Sequence, residues 1–482
     1  MFRLNPLAAA LLVVLSAHAM ADDSVSSQIQ DGTANIADVQ QTQASNAKAN
    51  QQQQGQGNDA ASVQQTTDGQ IDQVQSGSYN AGYAEQLFED ASTIKQQQNG
   101  SFNTAHASQS VGIGNQAEQQ QDGTGNFSFV YQDSQQGSRL SSLQSGDNNS
   151  AYMEQLFGGL NNSAFVTQFG LNHYAATEQV LHMGGQISIN QTGDGQYAYA
   201  DQRNGDGGLT TITQSGTLNA SEVWQDTQTL GSEAHVTQMG NSNEATLDQS
   251  FGQSNLATVL QVGDLNALYV DQFESIGSTV QLYQSGNDNA HFTYQTGDNH
   301  LISASSLGDG NKVNANPFQG AHVGGQSGSS QKAFINQNGT ANVATFTQDG
   351  ASHLTQLNQT GQRNQATVTQ ADAFNELYFD QNGSDNILIS DQRGESNLAQ
   401  GSSAGTGNST TFDQSGSNNQ AYTAQLYGSD NQINIKQADS LNVAYVTQGG
   451  TANTATVDQS GYSQTATVQQ TGSLNQANVL QQ

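Results

Sequence analysis

Three residue types recur at fixed spacing in this chain and could do chemistry: carboxylates, histidines and side-chain amides. Glu85, Glu154, Glu178, Asp201, Asp248 and Asp271 each stand immediately before a glutamine. Glycoside hydrolysis needs two carboxylates facing each other across one groove; these acids instead recur as a column, without a second acidic or basic motif beside them. His173, His300 and His353 fill a repeat slot that is otherwise Asn. Asn and His are both enriched in left-handed backbone, so the slot reads as a turn position rather than a metal ligand. The chain has no Cys, which excludes thiol catalysis and thiolate metal sites. The stretch "GDGN" at 308–311 lacks the remaining ligands of a Ca²⁺ loop, and no Gly-rich loop with a Lys offers a phosphate cradle. No catalytic residue, no cofactor and no metal is expected. What remains is the amide, whose chemistry is hydrogen bonding to copies of itself.

The glutamines keep time. They fall at Gln30, Gln41, Gln53, Gln64, Gln75 and Gln86 and continue to Gln284 and Gln295, with gaps that alternate between 11 and 12 or 13 residues except from Gln64 to Gln75, where the gap is 11. They resume at Gln326 and run to Gln481 with nearly every gap 11. Counting Ser306, Pro317 and Ser403 as degenerate marks gives about 40 units, or about 20 pairs. Within a unit the consensus is Gln-x-Gly-x-x-Asn-x-Ala-x-x-x-Gln. In residues 359–370, Asn364, Ala366, Val368 and Gln370 lie two apart and so share one face of a strand. Gly361 opens the intervening turn, where it supplies a positive φ cheaply. Each unit is therefore one short strand and one tight turn. Two units make a rung, and about 20 rungs at roughly 4.8 Å give an all-β, two-stranded-per-rung solenoid on the order of 100 Å long, with cross-β stacking.

Stacked rungs place amide above amide. The expected ladder residues include Gln30, Asn35 and Gln41; Gln144, Asn149 and Gln155; Gln337, Asn342 and Gln348; Gln359, Asn364 and Gln370; and Gln470, Asn475 and Gln481. Gly32, Gly146, Gly339, Gly361 and Gly472 are the matching turn glycines. A buried amide without a partner costs about 1–3 kcal/mol, and repetition in register removes that cost. Ala366, Val368, Ala455 and Val457 are expected to fill a thin core between the two sheets.

The opposite phase faces outward. It carries Tyr83, Tyr152, Tyr199, Tyr269, Tyr378, Tyr422, Tyr445 and Trp224, suited to lateral packing or adhesion, or present for strand propensity alone. The six acids place a charged column on one sheet only. It reads as a brake on assembly, relieved by protonation or divalent cations, or as a merely solvated face.

Composition bounds the partners. A formal net charge of −31, from 41 acids and 10 bases, excludes a phosphate-binding surface and with it nucleic acid. Residues 1–21 read as a secretory signal peptide: Arg3, an apolar run, and small residues at Ala17, Ala19 and Ala21. No later segment approaches the length of a membrane-spanning helix. The organisation expected is a signal peptide over 1–21, a repeat array over 22–300, an irregular loop or kink over 301–325 around Pro317, and a second array over 326–482.

The repeat resembles that of the curlin family in "QDGTANIADVQQ" (30–41), "QSGDNNSAYMEQ" (144–155), "QNGTANVATFTQ" (337–348) and "QTGSLNQANVLQ" (470–481). The resemblance implies a subunit of curli-like amyloid fibres, secreted across the outer membrane and serving cell adhesion and biofilm matrix. It implies self-association as the main contact, a companion curlin subunit and export accessory proteins. Familiar curlins carry about five repeats against about 20 here. The alternative is a non-polymerising extracellular solenoid, either an adhesin or an ice-binding rod that uses outward Thr pairs such as Thr367 and Thr369.

Overall fold

In each unit the alternation of small or aliphatic residues with polar ones gives a strand with one dry and one wet face. Residues Gln365–Ala373, for example, alternate exposed and buried positions up to Gln370. The computed structural model describes residues 23–482 and contains strands but no helix. The first sheet holds 20 strands, beginning with Val25–Thr33; the second begins with Ile36–Thr42. Every strand pairs in parallel with the strand one rung further on, ladder residue above ladder residue, as in Gln30 opposite Gln53 and Gln41 opposite Gln64. The result is a β-solenoid of 20 rungs.

The core is one continuous apolar cluster along the rod. Ala366, Val368, Ala455 and Val457 are all buried in it. Alanines alternate there with larger side chains, among them Ile71, Leu140, Met153, Phe346 and Phe412.

The corners between strands correct one expectation. The left-handed residue is not the Asn or His of the repeat but the residue before it: Arg363 at φ 54°, Ala341 at 56° and, ahead of the histidines, Asn172, Asn299 and Ser352 at 56–57°. Its side chain points away from the core, so its type varies. Gly361 is constrained twice. Its φ is 114°, and a Cβ there would lie 1.9 Å from the carbonyl oxygen of Gly383 in the next rung.

The irregular segment is also narrower than 301–325. Leu301–Leu307 is an ordinary strand between Thr279–Ser285 and Lys332–Thr340. Lys312–Ala315 and Gly325–Ser329 share one rung of the second sheet, both flanked by Ala290–Asp298 on one side and Val343–Ala351 on the other. Only residues 316–324 leave the rung, as a loop that folds back on the outer face. There Phe318 meets Tyr294 edge-on at 5.2 Å. Neither sheet is interrupted, and the ladder mark of this rung is Gln326, opposite Gln295, not Pro317. Pro317 lies in the loop, where no ladder needs its missing N–H. The expected signal peptide, 1–21, lies outside the described residues.

Candidate functional site: amide ladders and an acidic outer column

Gln at the end of each strand points inward, where no water can satisfy its amide. In the second sheet the solution is one unbroken ladder from Gln41 to Gln481, each Nε2 donating to Oε1 of the next rung at 2.7–2.9 Å. Gln41, Gln155, Gln348, Gln370 and Gln481 all belong to it. The remaining Nε2 hydrogen ties the two sheets together: Gln370 donates to the carbonyl of Leu354 at 3.1 Å and Gln359 to that of Val343 at 3.0 Å.

The first sheet runs a matching ladder from Gln30 through Gln144 to Gln284. It breaks at Ser306 and Ser403, and both breaks are patched. Ser306 Oγ donates to Gln337 Oε1 at 2.7 Å, and His291 from the opposite sheet fills the space, with its Nε2 2.7 Å from Ser306 Oγ. Ser403 Oγ donates to Gln425 Oε1 at 2.5 Å. Gln337, Gln359 and Gln470 sit in the resumed segments.

The asparagines form a third column with the opposite sense. Both the backbone N–H and Nδ2 of Asn364 donate to Asn342 Oδ1, at 3.0 and 3.1 Å. Asn35, Asn149 and Asn475 make the same contacts with their neighbours. His173 reproduces the pattern. Its Nδ1 accepts from the N–H of Gln196 at 3.3 Å and its Nε2 donates to the Phe169 carbonyl at 3.1 Å. Burial lowers the pKa of His173, His300 and His353, so these rings are neutral amide mimics. The turn glycines Gly32, Gly146, Gly339, Gly361 and Gly472 line up in one file at positive φ.

On the outer face of the second sheet the six acids are not one continuous column. Glu154, Glu178 and Asp201 are successive register partners, as are Asp248 and Asp271; Trp224 stands between the two groups and Glu85 is apart. Burial raises the Asp271 carboxyl to about 7, with Asp248 adding repulsion. Burial also raises Asp201, to about 6 against the opposing pull of Arg203, and raises Glu154 and Asp248. Arg203 bridges Glu178 and Asp201.

Two features lie outside the consensus. Gln28, Gln51, Gln73, Gln96 and Gln119 form a second ladder inside the first sheet, at 2.7–3.1 Å. Its signal was a Gln two residues before the ladder Gln. Glu89 is wholly buried in a corner, where Ser92 and Asn115 donate to Oε2 at 2.6 and 3.2 Å. Burial raises its carboxyl to about 7 despite those bonds. Among the described residues no three His, Asp or Glu side chains converge on a metal site, and no helix is long and apolar enough to cross a membrane.

A two-sheet parallel solenoid laced along its length by side-chain amides defines a class, the structural repeat rods. The model of the curlin associated repeat matches residues 143–170, 230–263, 240–273, 405–438 and 450–482. These matches place curlin associated repeats at several points along the chain and support a curlin-family assignment. No curated protein matches the chain.

Proposed function

We propose that the chain is the structural subunit of a secreted, extracellular fibre of amyloid type, growing by addition of copies along the rung axis. The carrying observation is the polarity of the amide ladders. Every glutamine bond from Gln41 to Gln481 points toward the higher residue numbers, and the asparagine bonds point back. An incoming copy satisfies both only with its strands running the same way. Growth is then head-to-tail, a heterologous contact that does not close on itself. Parallel strand edges template such addition through their unpaired N–H and C=O groups.

In this reading the ladder residues serve assembly as well as folding. Residues 1–21 direct export, and accessory proteins and a companion curlin subunit take part outside the cell. The proposal includes cell adhesion and a place in the biofilm matrix, a reading supported by the matches to the curlin associated repeat. The half-buried acids of the second sheet act as a brake, because protonation or neutralisation removes their mutual repulsion.

The test is to dilute the denatured chain, from residue 22 onward, into buffer and follow thioflavin T and fibre diffraction. A lag, a rise and a meridional reflection at about 4.7–4.8 Å are expected. A β-rich monomer that stays soluble at high concentration would sink the reading and favour a free-standing adhesin or ice-binding rod. For the brake, the triple substitution E154Q, D248N and D271N is expected to shorten the lag at pH 7.5; an unchanged lag removes it.

A further inference from the structure

The outer face of the second sheet carries a file of aromatic rings. Tyr83, His106, Phe129 and Tyr152 follow one another at 4.8–6.3 Å between ring centroids, and Tyr152, Tyr174 and Tyr197 continue at 5.5 and 5.4 Å. Among the described residues three pairs of tyrosines come this close: Tyr152 with Tyr174, Tyr174 with Tyr197, and Tyr422 with Tyr445. The pairs are not equivalent. Tyr174 and Tyr197 are register partners, as are Tyr422 and Tyr445, and their rings lie nearly parallel, at 5° and 9°. Tyr152 and Tyr174 instead stand on a diagonal, with Tyr174 opposite Ser150 and Tyr152 opposite Ala176. Their rings are tilted by 35°, and both are open to solvent, at 38% and 37%.

Two tyrosines can be joined by a bond between the ring carbons next to their hydroxyls. That bond sets the rings edge to edge, so the two Cβ atoms must stand farther apart than one rung. Register partners are held about 4.8 Å apart, which is too close. The diagonal combines one rung with two residues of strand rise and comes to about 8 Å, which fits. Three other diagonals on this sheet are turned to different partners. Tyr131 is diagonal to Tyr152, whose ring leans the other way, onto Phe127 at 5.1 Å. Tyr199 is diagonal to Tyr174 but packs on Trp224 at 4.7 Å. Tyr294 is diagonal to Tyr269 but meets Phe318 of the 316–324 loop at 5.2 Å. The chain has no Cys, so it has neither a disulfide to lock one rung to the next nor a thiol to quench a tyrosyl radical.

We propose that Tyr152 and Tyr174 form an oxidative modification site, a dityrosine staple between neighbouring rungs made by a peroxidase and hydrogen peroxide. Each phenol gives up one electron to the peroxidase and its proton to water. The two phenoxyl radicals couple Cε to Cε, and the hydrogens on those carbons move to the oxygens, restoring two phenols. Two electrons and two protons leave the pair and convert one hydrogen peroxide to two waters. Burial, with Tyr152 and Glu178 nearby, raises the Tyr174 phenol, so at neutral pH this ring enters the reaction with its proton. The strands hold the two rings in place beforehand, which selects this pair over the other tyrosines of the chain.

The test is oxidation of the folded chain from residue 22, at neutral pH and high dilution, with a haem peroxidase and hydrogen peroxide, followed by digestion and mass spectrometry. Cleavage after Arg139 and Arg203 releases residues 140–203, and cleavage after Glu154 and Glu178 divides them into 140–154, 155–178 and 179–203. These pieces separate Tyr152, Tyr174 and Tyr197. The expected product is 140–154 joined to 155–178, lighter than their sum by two hydrogens. It should be lost in Y152F and persist in Y197F, and circular dichroism confirms that each variant keeps its β content. Chains oxidised in concentrated urea should give scrambled pairs. A mixture of isotope-labelled and unlabelled chains should give no hybrid product. Coupling of 155–178 to 179–203 in its place, or of the pieces holding Tyr422 and Tyr445, would overturn the proposal. So would hybrid products, the same pairs in urea as in the fold, or no dityrosine at all. The readout is a bond within one chain, so it is independent of whether the chain forms fibres.

Discussion

Between Gln28 and Gln119 the first sheet turns two glutamines inward per rung, one in each of two ladders. Between Lys332 and Val468 the second of those positions holds Ile335, Leu357, Phe379, Gly401, Thr423, Val446 and Val468, and the opposite sheet contributes Phe346 and Phe412. The two regions fill the same cross-section with different chemistry. An apolar side chain contributes through its own burial, whatever the next rung holds. An amide contributes only if the rungs above and below are in place, since otherwise its donor or acceptor is buried and unmet. Ser62 and Ser128 extend this dependence across the core, bonding to Gln51 and Gln119 at 2.9 Å. The glutamine-cored rungs are therefore the more cooperative along the axis, and the phenylalanine-cored rungs the more self-sufficient.

The contrast is broken most severely at Phe379. Its ring fills the space that Gly401 leaves in the next rung, where a Cβ would come within 2.9 Å of it. Phe379→Ala opens a cavity across two rungs and is expected to cost about 3–5 kcal/mol, read as a lower denaturant midpoint for the C-terminal rungs.

Acid should separate the two regions next. Glu89 has a folded value near 7, against about 4.3 in an unfolded chain. Below about pH 4 the carboxyl is protonated in both states and costs nothing. The cost grows as pH rises through that window and is complete above about 7, where it amounts to roughly 3 kcal/mol. Once corrected for the base-catalysed intrinsic rate, hydrogen-exchange protection around Glu89 is expected to rise between pH 8 and pH 5, while that of residues 330–480 changes little. Glu89→Gln should flatten that dependence, and a slope that survives the substitution would place its origin elsewhere.

A smaller effect sharpens the contrast further. Gln73→Leu removes the oxygen that accepts from Gln51 and from the Ser62 hydroxyl, and the donor to Gln96 Oε1, an expected cost of about 1–3 kcal/mol. Replacing Gln28, Gln51, Gln73, Gln96 and Gln119 together by Leu, with Ser62 and Ser128 as Ala, should cost less than the single change, because no half-pair remains. Equal or greater loss in the multiple variant, measured by urea melts, would show that the ladder is not cooperative. At the bottom of the scale, Arg363→Ala removes an ion pair with Asp385 at 2.7 Å that is open to solvent. It should leave the melting curve unchanged.

The beat of glutamines was enough to give the rung, the sheet count and the inward phase, because a period of two assigns faces without ambiguity. What it could not give was depth or corner geometry. Asp201 and Glu85 occupy the same outward phase, yet Asp201 is wholly buried in the crowded region of Tyr199, Trp224 and Arg203. The left-handed residue was misplaced by one position because the propensity of Asn for that conformation is real but was outweighed here. The asparagine is held by two N–H groups converging on its Oδ1. Arg203 escaped notice because its role depends on the neighbouring rung, 25 residues away from Glu178. The substitution of Gln326 for Pro317 as a ladder mark required knowing where the chain rejoins its strand.

That rejoining behaves like a reading frame. Ala315 lies opposite Thr293, Gly325 opposite Thr347, and Gln326 opposite both Gln295 and Gln348. The nine residues 316–324 can be cut out and the flanking residues still fall in phase. What the rod enforces is where the chain re-enters, not how much of it has gone by in between. Passenger sequence of other lengths could be spliced at this point, and each copy would display it at the same height and azimuth on the rod.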